Sequence, residues 1–361
     1  MKSIVIVIQN ITYRAGTERA VCNLANIFVQ YGGYLPVIVS LYSSNGEAAF
    51  PLHENIKIIH LRITKAKNKI EQIVEYVKIA NILKKYCLKN GSEFIIGTNI
   101  GINIPLSFVN GRELIKIGCE HRIFDDPSIF SKFLRKFCYP KLNAVVALTS
   151  SDAKRYSFCK NVKTIPNSLS FIPKNHSDLC SKKILLIGRY TYPKNFENII
   201  EAIALIKKKC SEWQIRIVGD GEDKEKLLTL ITEKKLEEII FLVPPTDNIE
   251  EEYLNSSIFV LCSSSEGLPM VLIEAKSCGL PVVSFDCPTG PADIVRNNID
   301  GILVENGNII ALSKAVLKLI ENPDLRKRFG QEAVKDIDRF SPARIFQMWE
   351  SLFKELKKDE K

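Results

Sequence analysis

The sequence predicts an α/β protein of two domains, each built on a doubly wound parallel sheet. The chain has 361 residues, which is about two domains at roughly 100–200 residues each. Hydrophobic residues make up 46% and charged residues 25%, a globular composition that excludes disordered, collagenous and fibrous chains. Short β-branched runs alternate with helical stretches along the whole chain, the order that gives parallel strands joined by crossover helices.

The first half begins with a continuous apolar run over residues 4–8, which predicts a strand buried on both faces. A helix is expected over 17–31 and a long, Lys-rich amphipathic helix over 70–89. Further apolar runs predict the remaining strands of the first sheet, at 37–41, 56–61, 94–97, 115–119 and 144–148.

A polar segment without periodicity, residues 173–183, interrupts this rhythm and is expected to link the domains. Beyond it the predicted strands are 184–187, 214–218, 239–243, 258–262 and 281–284, and the predicted helices are 196–209, 223–235, 248–255, 269–278, 308–321, 323–338 and 341–357. Ser341 and Pro342 suit the N-cap and first position of the last helix. The predicted divisions are therefore 1–172, the linker 173–183, 184–340 and a terminal helix in 341–361.

Charge is divided unequally along the chain. Residues 1–180 hold 24 Lys and Arg against 12 Asp and Glu, whereas the remainder holds 26 against 29. A basic half favours an anionic partner, such as nucleic acid, a membrane surface or a phosphorylated substrate. A solvated lysine-rich surface is the alternative.

Cysteine spacing and apolar run lengths indicate the compartment. None of the ten cysteines forms a C-x-x-C pair, so we expect small buried thiols in a reducing environment and no zinc site. No apolar run approaches the roughly 18 residues of a membrane span. The first apolar stretch is also too short for a signal peptide. These patterns predict a cytoplasmic protein whose membrane contact, if any, is peripheral.

The most informative segment is SEGLPMVLIEA at residues 265–275, which follows a predicted buried strand. Pro269 is placed to open a helix, whose N-terminus is favourable for phosphate. Glu274 lies over one turn further in among apolar residues, where a carboxylate needs partners such as sugar hydroxyls. The alternative is a loop Glu266 and a solvent-facing Glu274 with no ligand.

A second segment, GRYTYPKN at residues 188–195, directly follows the first strand of the second half. It carries Arg189 and Lys194 on one strand-end loop. An Arg fork and a Lys point charge together suit a diphosphate. A solvated basic loop is the alternative.

Two loops of the first half add weaker signals. Gly16 permits close backbone approach, and Thr17 is expected to cap the helix that follows. Glu120, His121 and Arg122 follow a predicted strand, which would place His121 at the edge where open α/β sheets bind ligands. A structural histidine is the alternative.

Other patterns are discounted. Gly219-Asp220-Gly221 begins like a dinucleotide fingerprint, but the third glycine is missing. Asp336 and Asp338 have the spacing of a metal-binding pair and are interpreted as solvated surface. The sequence has no P-loop, no nucleophile elbow and no recognisable nucleic-acid module.

In combination, these motifs resemble retaining glycosyltransferase family 4. The matching stretches are GTERAVCNLAN, VVALT, IPNS, GRYTYPKN, RIVGDGE and SSSEGLPMVLIEAKSCGLPVVS. The resemblance implies the GT-B fold, in which two Rossmann-like domains face each other across a cleft and the last helix packs back on the first domain. The chain is similar to bacterial transferases of O-antigen, lipopolysaccharide, capsule and exopolysaccharide synthesis.

The resemblance also implies residue roles. Catalytic roles fall on Glu266, Arg189, Lys194 and His121, with Arg189 and Lys194 on the diphosphate, Glu266 at the donor sugar and His121 near the reacting sugar. Glu274 would hold the ribose hydroxyls, and Gly16 would let the first loop approach the diphosphate. The implied donor-binding set is Gly16, Gly188, Arg189, Lys194, Gly267, Leu268, Pro269, Met270, Val271 and Glu274.

The implied reaction needs neither cofactor nor metal. It moves a sugar with retention from a UDP-sugar or another NDP-sugar to a lipid-linked (undecaprenyl diphosphate) or lipopolysaccharide glycan acceptor, at the inner face of the cell membrane, without nucleic acid. The alternatives are a GT-B epimerase or phosphorylase, or a non-catalytic sugar-nucleotide binder or scaffold. Attraction to an anionic membrane is expected to be mainly electrostatic, through Lys65, Lys67, Lys69, Lys132, Arg135 and Lys136. Two roles are open for Phe130, Phe133 and Phe137: they add apolar contact with the membrane, or they lie in the core.

Overall fold

The computed structural model describes residues 3–42, 45–111, 114–121, 123–125 and 128–359. The chain divides into two units: unit 1 is Met1–Ser170 with Phe340–Lys361, and unit 2 is Phe171–Arg339. Each unit has a parallel sheet with helices on its two faces, which confirms the predicted α/β class.

Within the described residues, unit 1 forms a sheet of seven parallel strands in the order β3-β2-β1-β4-β5-β6-β7. The strands are β1 (Ser3–Ile8), β2 (Leu35–Ser40), β3 (Lys57–His60), β4 (Phe94–Gly97), β5 (Ile115–Glu120), β6 (Ala144–Ala147) and β7 (Val162–Thr164). The order reverses between β1 and β4, and doubly wound sheets bind ligands beyond the strand ends at such a point.

The central strand β1 is buried on both faces, as its apolar run predicts. Ile4, Ile6 and Ile8 join one core cluster, whereas Val5 and Val7 join a second cluster on the other face. Because side chains alternate along a strand, an unbroken apolar run has this outcome only when helices cover both faces.

Before Phe171, the α-helices in the described part of unit 1 are α1 (Gly16–Gly32), α2 (Lys69–Asn90), α3 (Ile100–Ser107), α4 (Ile129–Cys138) and α5 (Ser150–Arg155). The first two match their predicted ranges to within a residue at each end. Asn68 caps α2 by accepting a hydrogen bond from the Glu71 amide, and Gly91 ends it in the left-handed region.

Unit 2 forms a sheet of six parallel strands within its described residues, in the order β10-β9-β8-β11-β12-β13. The strands are β8 (Lys183–Ile187), β9 (Gln214–Val218), β10 (Ile240–Val243), β11 (Ile258–Leu261), β12 (Val282–Asp286) and β13 (Gly301–Glu305). Here the order reverses between β8 and β11, so the loops after these two strands frame the expected binding edge.

The helices of unit 2 are α6 (Glu197–Ile206), α7 (Lys224–Glu233), α8 (Ile249–Leu254), α9 (Met270–Ser277), α10 (Pro291–Ile294), α11 (Ile309–Glu321) and α12 (Pro323–Asp336). Lys276 of α9 is fully buried, and its ammonium binds Asp300 at 3.0 Å and Asp336 at 2.7 Å. The prediction of a solvated Asp336 is therefore wrong: a buried lysine needs anionic partners, and Asp336 supplies one of them.

The last helix, α13 (Pro342–Asp359), returns to unit 1. Ser341 accepts a hydrogen bond from the Arg344 amide at 3.3 Å, as an N-cap does. Trp349 packs edge-on against Phe28 of α1, with ring centroids 5.7 Å apart, and Phe353 lies 4.2 Å from the Phe94 ring of β4. The terminal helix thus completes one face of the unit 1 core.

All ten cysteines lie in described parts of the chain; they are free thiols, and all but Cys180 are buried. In the described parts of the chain, every helix is too short or too polar to cross a membrane.

Candidate functional site

The loop after β8 carries the two cations that sequence analysis selected. Arg189 has an exposed side chain, and Lys194 lies five residues further along the same loop. The loop turns tightly, because the Thr191 amide donates to the Arg189 carbonyl and the Lys194 amide donates to the Thr191 carbonyl. Gly188 lies beside Lys194, since a Cβ built on it would be 3.4 Å from the Lys194 Cδ.

The discounted motif Gly219-Asp220-Gly221 has a packing role against this loop. A Cβ on Gly219 would lie 1.9 Å from the Gly188 carbonyl oxygen, and one on Gly221 would lie 2.4 Å from the Tyr190 carbonyl oxygen. The Tyr190 amide also donates to the Asp220 carbonyl at 2.9 Å. These glycines let two strand-end loops touch, which explains the motif without a dinucleotide.

We expect Gly219→Ala to lower the free energy of unfolding by about 1–3 kcal/mol, because the added methyl group must separate the two loops. Urea denaturation measures the change. Gly16→Ala is the matched control: a Cβ on Gly16 meets nothing within 4 Å, so its unfolding midpoint should equal that of the natural protein. Equal midpoints for both variants would show that the close approach is unnecessary.

The loop after β11 brings Glu266 to Lys194. The Lys194 ammonium lies 2.6 Å from Glu266 Oε1, and both side chains are largely buried, at 24% and 12% exposure. The backbones are joined as well, because the Ser264 amide donates to the Pro193 carbonyl at 3.0 Å. The two residues therefore meet where the strand order of the sheet reverses.

Glu274 is buried in α9, at 1% exposure, which excludes the solvent-facing alternative. The Tyr253 hydroxyl of α8 donates to its Oε2 at 2.9 Å. Tyr253 follows an acidic, polar stretch and carried no motif in the sequence, so only the fold reveals it as a partner of this carboxylate.

The segment Gly267–Pro269 leads into α9 and is clamped by residues 287–291. The Thr289 hydroxyl donates to the Glu266 carbonyl. Gly290 lies in the left-handed region, and a Cβ there would be 2.6 Å from Pro269 Cδ. The first turn of a helix leaves amide groups without intrahelical partners, so this clamp fixes donors suited to an anion.

Gly16 begins α1 in unit 1, where it is exposed. The expected capping by Thr17 is wrong, because Thr17 lies inside the helix and Ala15 occupies the N-cap without a side-chain hydrogen bond. Glu18 in the first turn is buried, and this burial raises the pKa of its carboxyl group.

His121 follows β5 and lines a small cavity of about 20 Å³ together with Asn167 and Ser168 of the IPNS stretch and Trp349 of α13. Burial lowers the pKa of its imidazole to about 4, so the ring is neutral at pH 7. Its Nδ1 atom is buried, with no hydrogen-bond partner in the described part of the chain. Arg122, which belongs to the same motif, lies outside the described residues.

A buried polar cluster supports the residue before His121. Glu120 accepts hydrogen bonds from Asn103, at 2.8 Å, and from the Tyr139 hydroxyl. Arg135 lies 3.9 Å from Glu120, is fully buried and donates to the Phe124 carbonyl at 2.8 Å. The expectation that Arg135 faces a membrane is therefore wrong: its charge is compensated inside the unit.

The structure thus joins Gly188, Lys194 and Glu266 in one cluster of unit 2, with Arg189 on the same loop and Glu274 on the helix that follows. Gly16 and His121 belong to unit 1. Across the described residues, no group of three or more His, Cys, Asp or Glu side chains has the arrangement of a metal site.

Comparison with known proteins identifies the family. The family model described as Glycosyl transferases group 1 matches residues 170–336. The chain is 31% identical over 364 residues to the amylovoran biosynthesis glycosyltransferase AmsD of Erwinia amylovora, covering 98% of this chain and 99% of that protein.

It is also 28% identical over 350 residues to the Campylobacter jejuni enzyme named GalNAc-alpha-(1->4)-GalNAc-alpha-(1->3)-diNAcBac-PP-undecaprenol alpha-1,4-N-acetyl-D-galactosaminyltransferase, covering 95% of this chain and 96% of that enzyme. A crystal structure of an S. aureus TarM variant in complex with fondaparinux, alpha-GlcNAc-glycerol and UDP superposes with a TM-score of 0.80 at 18% identity, over 98% of this chain and 100% of that one. The chain therefore belongs to the group 1 glycosyl transferases and is a glycosyltransferase with the GT-B fold.

Proposed function

We propose that this enzyme is a retaining transferase of family 4 that moves a sugar from a nucleoside diphosphate to a hydroxyl group of a lipid-linked or cell-surface glycan. The observation that carries the proposal is the contact of 2.6 Å between Lys194 and Glu266. This contact joins a carboxylate to a cation of the kind that binds diphosphates. It lies where the strand order of the sheet reverses, directly before α9. Glu274 lies in that helix.

The proposed donor site uses unit 2. Arg189 and Lys194 would neutralise the charge that grows on the diphosphate as the glycosidic bond breaks, assisted by the N-terminus of α9. The backbone of residues 267–271 would meet phosphate and sugar. Glu274 would accept hydrogen bonds from the ribose hydroxyls, in addition to the one that it accepts from Tyr253.

Lys194 and Glu266 would have linked roles in this scheme. Their ion pair holds the ammonium on the loop before a donor arrives, so little reorganisation is needed when the diphosphate binds. Glu266 would then lie at the donor sugar, where its carboxylate can stabilise positive charge developing at the anomeric carbon.

Retention would follow from reaction on one face of the sugar. The acceptor oxygen bonds to the anomeric carbon as the bond to the diphosphate breaks, and the leaving phosphate takes the acceptor's proton. This route needs no metal, cofactor or separate base. His121, neutral at pH 7, would serve as a hydrogen-bonding group near the reacting sugar.

The acceptor class is supported by the relatives. One is named for amylovoran biosynthesis and another for an undecaprenol-linked glycan. We therefore propose a lipid-linked acceptor of the O-antigen, lipopolysaccharide, capsule or exopolysaccharide kind, used by a cytoplasmic enzyme at an anionic membrane surface. The TarM structure holds UDP, which supports a UDP-sugar donor.

Donor hydrolysis by the full chain tests this function. We expect slow release of free sugar from one member of a panel of UDP-sugars, with the first-formed anomer matching the donor by NMR. EDTA should leave the rate unchanged. Donor at one hundred times Kd should also stabilise the protein by about 2.7 kcal/mol. The proposal would be overturned by an inverted anomer or by a rate that EDTA abolishes. It would also be overturned if nucleotide sugars were neither hydrolysed nor raised the thermal stability.

A further inference from the structure

Two helices of unit 1 present large apolar side chains to solvent in regular stripes. In α2 the spacing is i, i+3, i+4 and i+7, and in α4 it is i, i+4 and i+8, so each set lies along one helical face. Every one of these side chains is more than half exposed. We call this set the α2–α4 apolar face: Ile70, Ile73, Val74, Val77, Ile129, Phe133 and Phe137.

The two helices approach each other at their first turns. The Lys69 ammonium at the start of α2 is 5.4 Å from the Phe130 ring centroid near the start of α4. Within α4, the Phe133 and Phe137 rings are 4.7 Å apart, so they form one apolar ridge. Single exposed apolar residues are common on protein surfaces, whereas seven in regular stripes on two helices that meet at their first turns indicate an interaction surface.

The charge around this face is almost entirely positive. Residues 61–90 and 128–141 contain twelve Lys and Arg, of which Arg135 is buried, but two acidic residues, Glu71 and Glu75. Asp125, just before α4, adds one exposed carboxylate, which pairs with Lys132. Both acids are engaged, since Glu75 accepts a hydrogen bond from the Ala66 amide and Glu71 from the Lys67 amide. Lys78 and Lys85 border the apolar residues of α2 in a shallow groove.

We propose that the α2–α4 apolar face docks on an anionic lipid bilayer, with its apolar side chains entering the boundary between headgroups and acyl chains and its lysines meeting lipid phosphates. An apolar centre inside a basic rim matches such a surface in both respects. A second copy of the chain fits poorly, because two identical faces would bring their lysine rims together. The inference deepens the proposed function, on which it rests for the lipid-linked acceptor.

This docking mode differs from the electrostatic attraction expected from the sequence. Arg135 is buried and cannot reach lipid, and Lys132 already pairs with Asp125 at 3.4 Å. The apolar stripes supply the anchor that no long hydrophobic run provides. Binding should therefore persist in part at about 1 M salt, where charges are screened beyond about 3 Å.

Co-sedimentation of the full chain with vesicles tests the proposal, using phosphatidylglycerol mixed with phosphatidylcholine against phosphatidylcholine alone. The apolar variant carries Ile129→Ser, Phe133→Ser and Phe137→Ser, and its matched control carries Leu205→Ser, Ile299→Ser and Ile310→Ser on exposed positions of unit 2. We expect the apolar variant to bind mixed vesicles at least about tenfold more weakly and to lose the salt-resistant fraction. The control should bind like the natural protein.

A charge variant, Lys69→Gln with Lys78→Gln and Lys85→Gln, should lose about fivefold in affinity per lysine at low salt. A Phe133→Trp variant carries one substitution, so its readout does not depend on whether the fold tolerates the three substitutions of the apolar variant. Its fluorescence should shift to the blue with mixed vesicles and be quenched by brominated lipid, whereas Ile310→Trp should respond to neither.

Equal binding of the apolar variant and its control, or an unresponsive Phe133→Trp variant, would overturn the docking surface. So would a dimer in sedimentation velocity that the apolar variant abolishes while vesicle binding stays unchanged. Donor hydrolysis on the same samples separates the two proposals. Hydrolysis without vesicle binding would remove the docking surface alone, and vesicle binding without hydrolysis or nucleotide binding would remove the proposed function alone.

Discussion

Replacing Lys194 with alanine should lower the turnover number about 100- to 1000-fold, the usual effect of removing one preorganised group that stabilises transition-state charge. The ammonium would act on charge that grows as the diphosphate leaves, so donor affinity should change much less than turnover. Removal also leaves Glu266, at 12% exposure, without its cation, which adds repulsion against the diphosphate. Steady-state kinetics at saturating donor measures the effect.

Arg189→Ala should lower turnover in the same direction but without the added repulsion, because Arg189 does not pair with Glu266 in the described structure. Lys226→Ala is the matched control, since its ammonium pairs with Glu197 on the surface of the same unit at 2.5 Å. Its turnover should be unchanged. If Lys194→Ala weakened donor binding alone and left turnover intact, the leaving-group role would be wrong.

Glu274→Ala should weaken the binding of UDP by about 1.5–3 kcal/mol for each charged hydrogen bond lost. One such bond corresponds to about 12- to 150-fold in Kd. The protein should stay folded, because Tyr253 also lies within 3.4 Å of the Val271 carbonyl and keeps a hydrogen-bond partner. Calorimetry with UDP measures the loss.

Comparison with 2′-deoxy-UDP makes this test specific. The natural protein should prefer UDP, and Glu274→Ala should largely lose the preference because the carboxylate proposed to bind the ribose hydroxyls is gone. Tyr253→Phe keeps the carboxylate and should retain the preference. An undiminished preference in Glu274→Ala would contradict the ribose assignment.

Much of the fold was predictable because its long periodic elements follow from local patterns. The run at residues 4–8 and the amphipathic α1 and α2 appear where they were predicted. The missed elements are short: α3 is eight residues, buried on most sides and interrupted by Pro105, so it shows no helical period. Strand β13 is five residues and follows a turn, where a short apolar run carries little signal.

The candidate site was predictable where charge had to be explained. A carboxylate at Glu274 among apolar residues, and two cations on one loop, already indicated a ligand. Tyr253 and the Gly290 clamp were not predictable, because they reach the site from α8 and from the loop after β12. The prediction for Arg135 failed for the opposite reason. Two nearby lysines suggested an exposed side chain, but Arg135 is buried because its guanidinium lies beside Glu120, which is distant in sequence.

The return of α13 to unit 1 has a consequence for synthesis on the ribosome. Phe28 and Phe94 pack against Trp349 and Phe353, so the unit translated first lacks part of its core until α13 has been translated. At about 5–20 residues per second, translation of the intervening unit takes roughly 10–30 s. During that interval the nascent first sheet exposes aromatic surface to chaperones, and the second unit can complete its own core before the first.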